Sequence, residues 1–300
     1  MSAASKIPRM TSEGPLATLR AALRIITDVA VFRLRRLEMA NLAGAAAVAI
    51  AVALPPLEIA GRLGFGALLN LLVYLNNDFL DLDADLAAPS REARMTRFLA
   101  AHRRAAIVAQ LGLLALAAAV ALAFEPSLLA PLLAGGGLCW AYSAWLKRRP
   151  GVDVAAMILW GVAMSSVGAP LGDPLAWALV IQLGLFSGVF EAIQVLRDRP
   201  EDQRAGVRTT AVVLGERGTK ALIRVLLVLA GAYAALVIHP ALAALPLVGV
   251  LLPIDAAAIP GYWTRIRGLL GVALIAAVAW VVIHGGTAGL WLRISRATVT

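Results

Sequence analysis

The sequence predicts an all-α, polytopic membrane protein with nine transmembrane helices. Hydrophobic residues make up 61% of its 300 residues and mean hydropathy is +0.83, whereas soluble domains run nearer ~45–50% apolar. The excess is spread along the chain, so it is not one anchor on a soluble domain. The basic residues, in turn, collect in alternate short connections between the apolar runs.

A spanning helix needs roughly 20 mostly apolar residues. The runs that qualify are 37–57, 62–80, 104–124, 127–146, 152–171, 174–196, 219–238, 241–259 and 267–285. Pro246, Pro253 and Asp255 interrupt the eighth. The first 14 residues are polar, so no cleavable signal peptide is expected. Segment 15–36 is basic and amphipathic, which predicts a helix lying along the membrane surface. The expected organisation is a cytoplasmic N-terminal segment, 1–36, with that helix, followed by a single transmembrane domain, 37–300.

The charges orient these spans. Of the 27 Lys and Arg residues, all but Arg62, Arg293 and Arg296 fall on one side of the proposed topology. Basic residues concentrate in cytoplasmic loops, so the N-terminus is expected in the cytoplasm and the C-terminus outside. The formal net charge of +9 therefore reflects topology rather than nucleic-acid binding. The Ala- and Arg-rich composition points to a bacterial cytoplasmic membrane. The single cysteine, Cys139, excludes an intrachain disulfide. His102, His239 and His284 are scattered without metal-ligand spacing, and Gly135 to Gly137 reads as a site of close helix packing.

Two acidic clusters fall at cytoplasmic span ends. The first runs Asn77-Asp78-Phe79-Leu80-Asp81-Leu82-Asp83-Ala84-Asp85. If the second span's helix continues, Asp78, Asp81 and Asp85 share one face within two turns. Three carboxylates on one face repel each other unless a cation neutralises them, and hard oxygen ligands suit Mg²⁺ or Ca²⁺. The second cluster is Asp198-Arg199-Pro200-Glu201-Asp202, with Pro200 expected to disfavour a regular helix through it. Glu191 and Gln194 share the face of Asp198 and would line a cavity. An ionisable residue within a span, such as Glu191, marks function by default. Salt bridges to Arg197 or Arg199 are the plain alternative for the second cluster. Between the clusters lies Tyr142-Ser143-Ala144-Trp145-Leu146-Lys147. An aromatic ring can stabilise a cation in a dry cavity, and a Lys can bind diphosphate as a point charge. An interfacial Tyr and a topology Lys are the alternative.

Together these motifs resemble the paired signatures of the UbiA superfamily of intramembrane prenyltransferases. Asn77 to Asp85 reads N-D-x-x-D-x-x-x-D and Asp198 to Asp202 reads D-x-x-x-D. The stretch Gly206-Val207-Arg208-Thr209 looks like the family's G-x-x-[ST] element, and the Y-S-A-x-x-L-K form is similar to the chlorophyll-synthase-like and archaeal ether-lipid branches. The resemblance covers roughly residues 20–285. It implies nine helices around a central cavity, capped by cytoplasmic loops over the active site. It implies Mg²⁺ as cofactor, with Asp78, Asp81, Asp85, Asp198 and Asp202 as metal ligands. It implies Tyr142, Lys147, Asp198 and Asp202 as catalytic residues. Asn77, Arg94, Lys147, Glu191 and Gln194, with Asn41 and Arg91, would bind substrate. The partners implied are an isoprenoid diphosphate, a lipophilic acceptor and membrane lipids, and not nucleic acid.

This sequence also departs from the pattern. Met95 follows Arg94 where the family has Pro, Val195 stands where relatives often have a further Asp, and Glu201 replaces the usual Gly. These departures keep open a terpene cyclase on the same scaffold, which would ionise the same substrate without an acceptor. A secondary transporter fits less well. Its polar site would lie near the midplane, whereas these acids cluster at one face.

Overall fold

A computed structural model describes residues 14–36, 38–39, 41–87 and 93–286, and among these the chain is helical with no β-strand. Helix α1 (Pro15–Arg35) starts on a proline, whose missing N–H is spare at that position. Its buried residues Ala21, Ala22, Ile25 and Val29 recur at helical spacing. That stripe packs on the long helices α3 (Pro56–Leu80) and α6 (Arg103–Phe124). A helix is thus present over the segment read as amphipathic, docked onto the bundle through its apolar face.

Helix α2 (Asn41–Ala51) precedes α3. Short helices α4 (Leu82–Ala87) and α5 (Ala93–Ala101) lie between α3 and α6. Then come α7 (Leu129–Ala144), α8 (Val152–Ser165), α9 (Pro174–Arg204), α10 (Thr210–Tyr233), α11 (Ala244–Leu251) and α12 (Ile259–His284). Helix α2 packs on α3, α3 on α7, α7 on α8, α8 on α9, α9 on α10, α10 on α11, α11 on α12, and α12 back on α2. The contacts therefore close into a ring. Leu111, Leu116, Leu133, Leu159, Leu229, Ile275 and Ile283 face outward and are exposed. An apolar exterior of this kind suits lipid rather than water.

Six of the expected spans are helices long and apolar enough to cross a membrane: Pro56–Leu80, Arg103–Phe124, Pro126–Ala144, Pro174–Arg204, Thr210–Ile238 and Ile259–His284. The first, fifth and eighth expected spans are shorter, at Asn41–Ala51, Val152–Gly168 and Pro240–Leu251. Each shortening has a local cause. Two prolines, Pro55 and Pro56, follow α2 and start the next helix. Beyond α8 the backbone carbonyls of Val167 and Ala169 accept from the buried Arg62 guanidinium at 3.2 and 3.4 Å. Arg62 is 2% exposed and also bonds Glu58 at 2.9 Å, so its buried charge is compensated. Pro253 stops α11, and Asp255 caps the following turn by accepting from the Ala257 N–H at 2.9 Å.

Small residues set the close approaches. A Cβ on Gly135 would meet the Met164 sulfur at 3.3 Å, the close packing expected there, whereas Gly137 of the same run has open space around it. Gly168 is tighter: a Cβ there would run into the Ala45 backbone carbonyl of α2.

Candidate active site

The ring encloses a cavity of about 560 Å³. Most of its wall is apolar and aromatic, including Trp160, Phe186, Phe190, Trp263, Leu270 and Leu274. The Phe190 and Trp263 rings pack with centroids 5.1 Å apart. Polar groups gather at one end, where Asn41, Asn77, Tyr142, Glu191 and Gln194 all line the wall. Glu191 and Gln194 of α9 are thus part of the cavity wall, whereas Asp198 and Asp202 are not among its lining residues.

The end of α7 and the turn after it join the first acidic cluster to α9, the helix that carries the second. Ser143 donates to the Asn77 amide oxygen at 2.8 Å. The Tyr142 hydroxyl donates to Glu191 Oε1 on α9 at 2.7 Å, and Glu191 is 5% exposed. One turn beyond Tyr142, Lys147 ion-pairs with Asp81. Three residues from one helix end thus touch the first cluster twice and the second cluster's helix once.

The first cluster differs from the sequence expectation. Helix α3 stops at Leu80, and Asp81 sits at the break with φ −89° and ψ 0° before α4 begins. Asp78, Asp81 and Asp85 therefore do not lie along one unbroken helix face. Asp81 still accepts the Asp85 N–H on its carbonyl at 2.9 Å, so the turn stays tight. The Asp78 carboxylate is ion-paired to Arg33 of α1, whose guanidinium also pairs with Glu38 and lies 4.5 Å from the Tyr74 ring centroid. Asp83 pairs with Arg103, and Asp85 is exposed.

The second cluster is more regular than expected. Helix α9 runs through Pro200 to Arg204, which keeps Asp198 and Asp202 one turn apart on one face. Proline removes one helical hydrogen bond, and here that loss falls near an exposed helix end. Asp198 is half-exposed and takes both Arg197 bonds, at 2.7 and 2.9 Å. The salt bridge raised as the plain alternative is present. Asp202 accepts from the Thr209 hydroxyl at 3.1 Å.

Other expected site residues are placed as follows. Asn41 lines the cavity and donates to the buried Asn70 at 2.9 Å. Arg94 is exposed on α5 and is not in the cavity wall. Arg91 lies outside the described residues. His102 stacks on Phe98 with centroids 4.1 Å apart, consistent with a structural role.

Several site residues escaped sequence reasoning. Arg33 looked like one more topology charge among its basic neighbours. Trp160, Trp263 and Arg267 line the cavity but carry no motif. Among the described residues no three His, Cys, Asp or Glu side chains are gathered as a ready metal cage. The donor chemistry nonetheless fits a hard divalent ion. The motif residues offer carboxylate oxygens, and cationic side chains neutralise Asp78, Asp81 and Asp198.

The likeness to known proteins covers most of the chain. Residues 39–269 match the UbiA prenyltransferase family. A lycopene elongase/hydratase of Haloferax volcanii is 30% identical over 236 residues, spanning 72% of this chain and 74% of that protein. A digeranylgeranylglyceryl phosphate synthase structure has the same fold with a TM-score of 0.65, at 14% identity over 88% of this chain and 99% of that one. A UbiA homologue from Archaeoglobus fulgidus bound to GPP and Mg²⁺ superposes with a TM-score of 0.58, at 18% identity over 86% of this chain and 99% of that one. The same homologue has been solved with DMAPP and Mg²⁺. Six apolar helices long enough to span a bilayer make this an integral membrane protein, and the chain belongs to the UbiA prenyltransferase family.

Proposed function

We propose that this chain is a Mg²⁺-dependent intramembrane prenyltransferase that ionises an isoprenoid diphosphate and transfers the prenyl group to a lipid-like acceptor. The observation that carries it is the end of α7 and the turn after it, where Tyr142 holds Glu191 of α9 while Ser143 and Lys147 hold Asn77 and Asp81 of the first cluster, beside a cavity that Asn77, Tyr142 and Glu191 line. A homologue of the same fold was solved with GPP and with DMAPP, each with Mg²⁺.

Asp78, Asp81 and Asp85 from the first cluster, with Asp198 and Asp202 from the second, would hold the metal. Bound there, Mg²⁺ would offset the negative charge that builds on a departing diphosphate. With Asp78 and Asp81 engaged as ligands, Arg33 and Lys147 would be available as cations for the diphosphate oxygens. Asn77 and Gln194 line the cavity and would meet the diphosphate end of the substrate. Tyr142 and the aromatic wall shield the allylic cation from water. Glu191 holds the Tyr142 phenol in place through their hydrogen bond. Arg94 and Arg91 would add positive charge for diphosphate binding.

The acceptor we favour is an alkene-bearing lipid. The cavity wall is apolar and aromatic, and the Haloferax relative is named for extending and hydrating lycopene. The nine-helix arrangement is part of the same proposal, with three shorter apolar helices completing the six long ones. So are a single transmembrane domain over 37–300, a cytoplasmic N-terminus with its acidic clusters facing the cytoplasm, and a bacterial inner-membrane location.

Product mass spectrometry tests the proposal. The purified protein is incubated with Mg²⁺ and a prenyl diphosphate, with and without an extracted lipid pool. A prenylated lipid formed only with the pool is the expected result. A cyclised hydrocarbon or alcohol formed without the pool would overturn prenyl transfer in favour of cyclisation.

A further inference from the structure

Asp153 lies outside every motif, yet its side chain is fully buried. It sits in the first turn of α8. One carboxylate oxygen accepts from the Val154 N–H at 2.9 Å and from the Thr210 hydroxyl. The other accepts from the Thr210 N–H at 2.7 Å. The Thr210 hydroxyl in turn accepts from the Gly151 N–H at 2.6 Å. The carboxylate therefore lies where the N-termini of α8 and α10 converge, and both helix dipoles favour its charge.

The chain reaches Thr210 by a defined route from the second acidic cluster. Helix α9 ends in a paired turn, with Gly206 N–H bonding the Gln203 carbonyl at 3.3 Å and Val207 N–H bonding the Asp202 carbonyl at 2.9 Å. This is a Schellman ending, and it requires the positive φ of 69° that Gly206 supplies. The chain reverses there and brings Thr209 back beside Asp202. Thr209 occupies the N-cap of α10, where a threonine hydroxyl normally accepts from its own helix. It makes no such capping bond. Its hydroxyl donates to Asp202 Oδ2 at 3.1 Å instead.

We propose that Asp153 is a positioning residue for the second aspartate cluster, fixing the Asp202 carboxylate through Thr210 and Thr209. A plain staple between α8 and α10 would need only the Asp153–Thr210 bonds. The diverted Thr209 hydroxyl is what extends the chain of contacts to Asp202. Groups that orient a metal ligand tune affinity for the ion, and losing one typically costs about 10–100-fold. The inference rests on the assignment of Asp202 to metal binding made above.

The test is Mn²⁺ binding to the purified full-length protein with inorganic pyrophosphate, read by electron paramagnetic resonance, alongside melting temperature. Thr209→Val keeps the branched shape and removes the donor. It is expected to weaken Mn²⁺ binding about tenfold. Asp153→Ala strips three donors of their acceptor and lowers the melting temperature as well, so Thr209→Val carries the test where that variant does not fold. In an Asp202→Ala background the effect of Thr209→Val on Mn²⁺ affinity should vanish, because coupled residues are not additive. Unchanged affinity in Thr209→Val, or an equal loss with and without Asp202, overturns the proposal and leaves only a staple. Wild-type protein that binds no Mn²⁺ with pyrophosphate overturns the functional assignment itself, and this inference with it.

Discussion

The Arg33 guanidinium, from a helix ahead of the first expected span, is ion-paired to Asp78 at the end of α3. Both side chains are largely shielded, at 14% and 12% exposed, so the pair is screened less than a surface salt bridge. A metal ion held by Asp78 would compete with Arg33 for that carboxylate, and a loosened Arg33 would be a ready partner for diphosphate. Arg33→Ala is therefore expected to tighten Mn²⁺ binding to the protein alone. The same change should weaken pyrophosphate binding in the presence of Mn²⁺. Each effect is about tenfold, the scale of one charge-assisted contact. Isothermal titration in both orders of addition reads the two affinities, and shifts of the same sign contradict the exchange.

Tyr142 tests the cation-shielding role. Its ring and its hydroxyl separate cleanly, because the hydroxyl is engaged by Glu191. Tyr142→Phe keeps the ring and should lower kcat less than tenfold. Tyr142→Ala removes the ring, and a desolvated cation–π contact is worth about 2 kcal/mol, or roughly 30-fold in rate. Single-turnover release of labelled pyrophosphate distinguishes the two. Equal losses in both variants would assign the role to the hydroxyl alone.

Gly168 tests the fold independently of the chemistry. It packs against the Ala45 backbone, where no side chain has room. Backbone cannot swing aside as a flexible side chain can, so Gly168→Ala should destabilise by about 1–3 kcal/mol or more. Gly137, with open space around its Cβ position, is the control. A detergent-solubilised melting curve for each variant reads the difference. Equal melting temperatures for Gly168→Ala and Gly137→Ala would contradict the close α2 contact.

The sequence carried the bundle and the polar end of its cavity. Apolar runs of membrane length announce themselves, and acids at two span ends stand out against a 61% hydrophobic background. Glu191 and Gln194 were legible because helical spacing from Asp198 fixes their face. Arg33 was not, since one arginine in a basic segment looks like its neighbours until the fold brings it to Asp78. Asp153 was hidden for a similar reason. Its meaning depends on Thr210, 57 positions away in the chain. A local rule also misled at one point. Proline usually ends a helix, yet α9 continues through Pro200. The shared face of Asp78, Asp81 and Asp85 was conditional on the helix continuing, and α3 stops at Leu80, where the expected span 62–80 also ended.

The central claim is that two aspartate clusters, distant in sequence, act together on one diphosphate. The direct measurement is pyrophosphate release by purified protein from a labelled prenyl diphosphate with Mg²⁺, repeated after chelation and in Asp78→Ala and Asp198→Ala. Mg²⁺-dependent release that falls at least about 100-fold in each single variant is predicted, the scale of losing a key electrostatic group. Release at the wild-type rate in either variant, or undiminished after chelation, would contradict it.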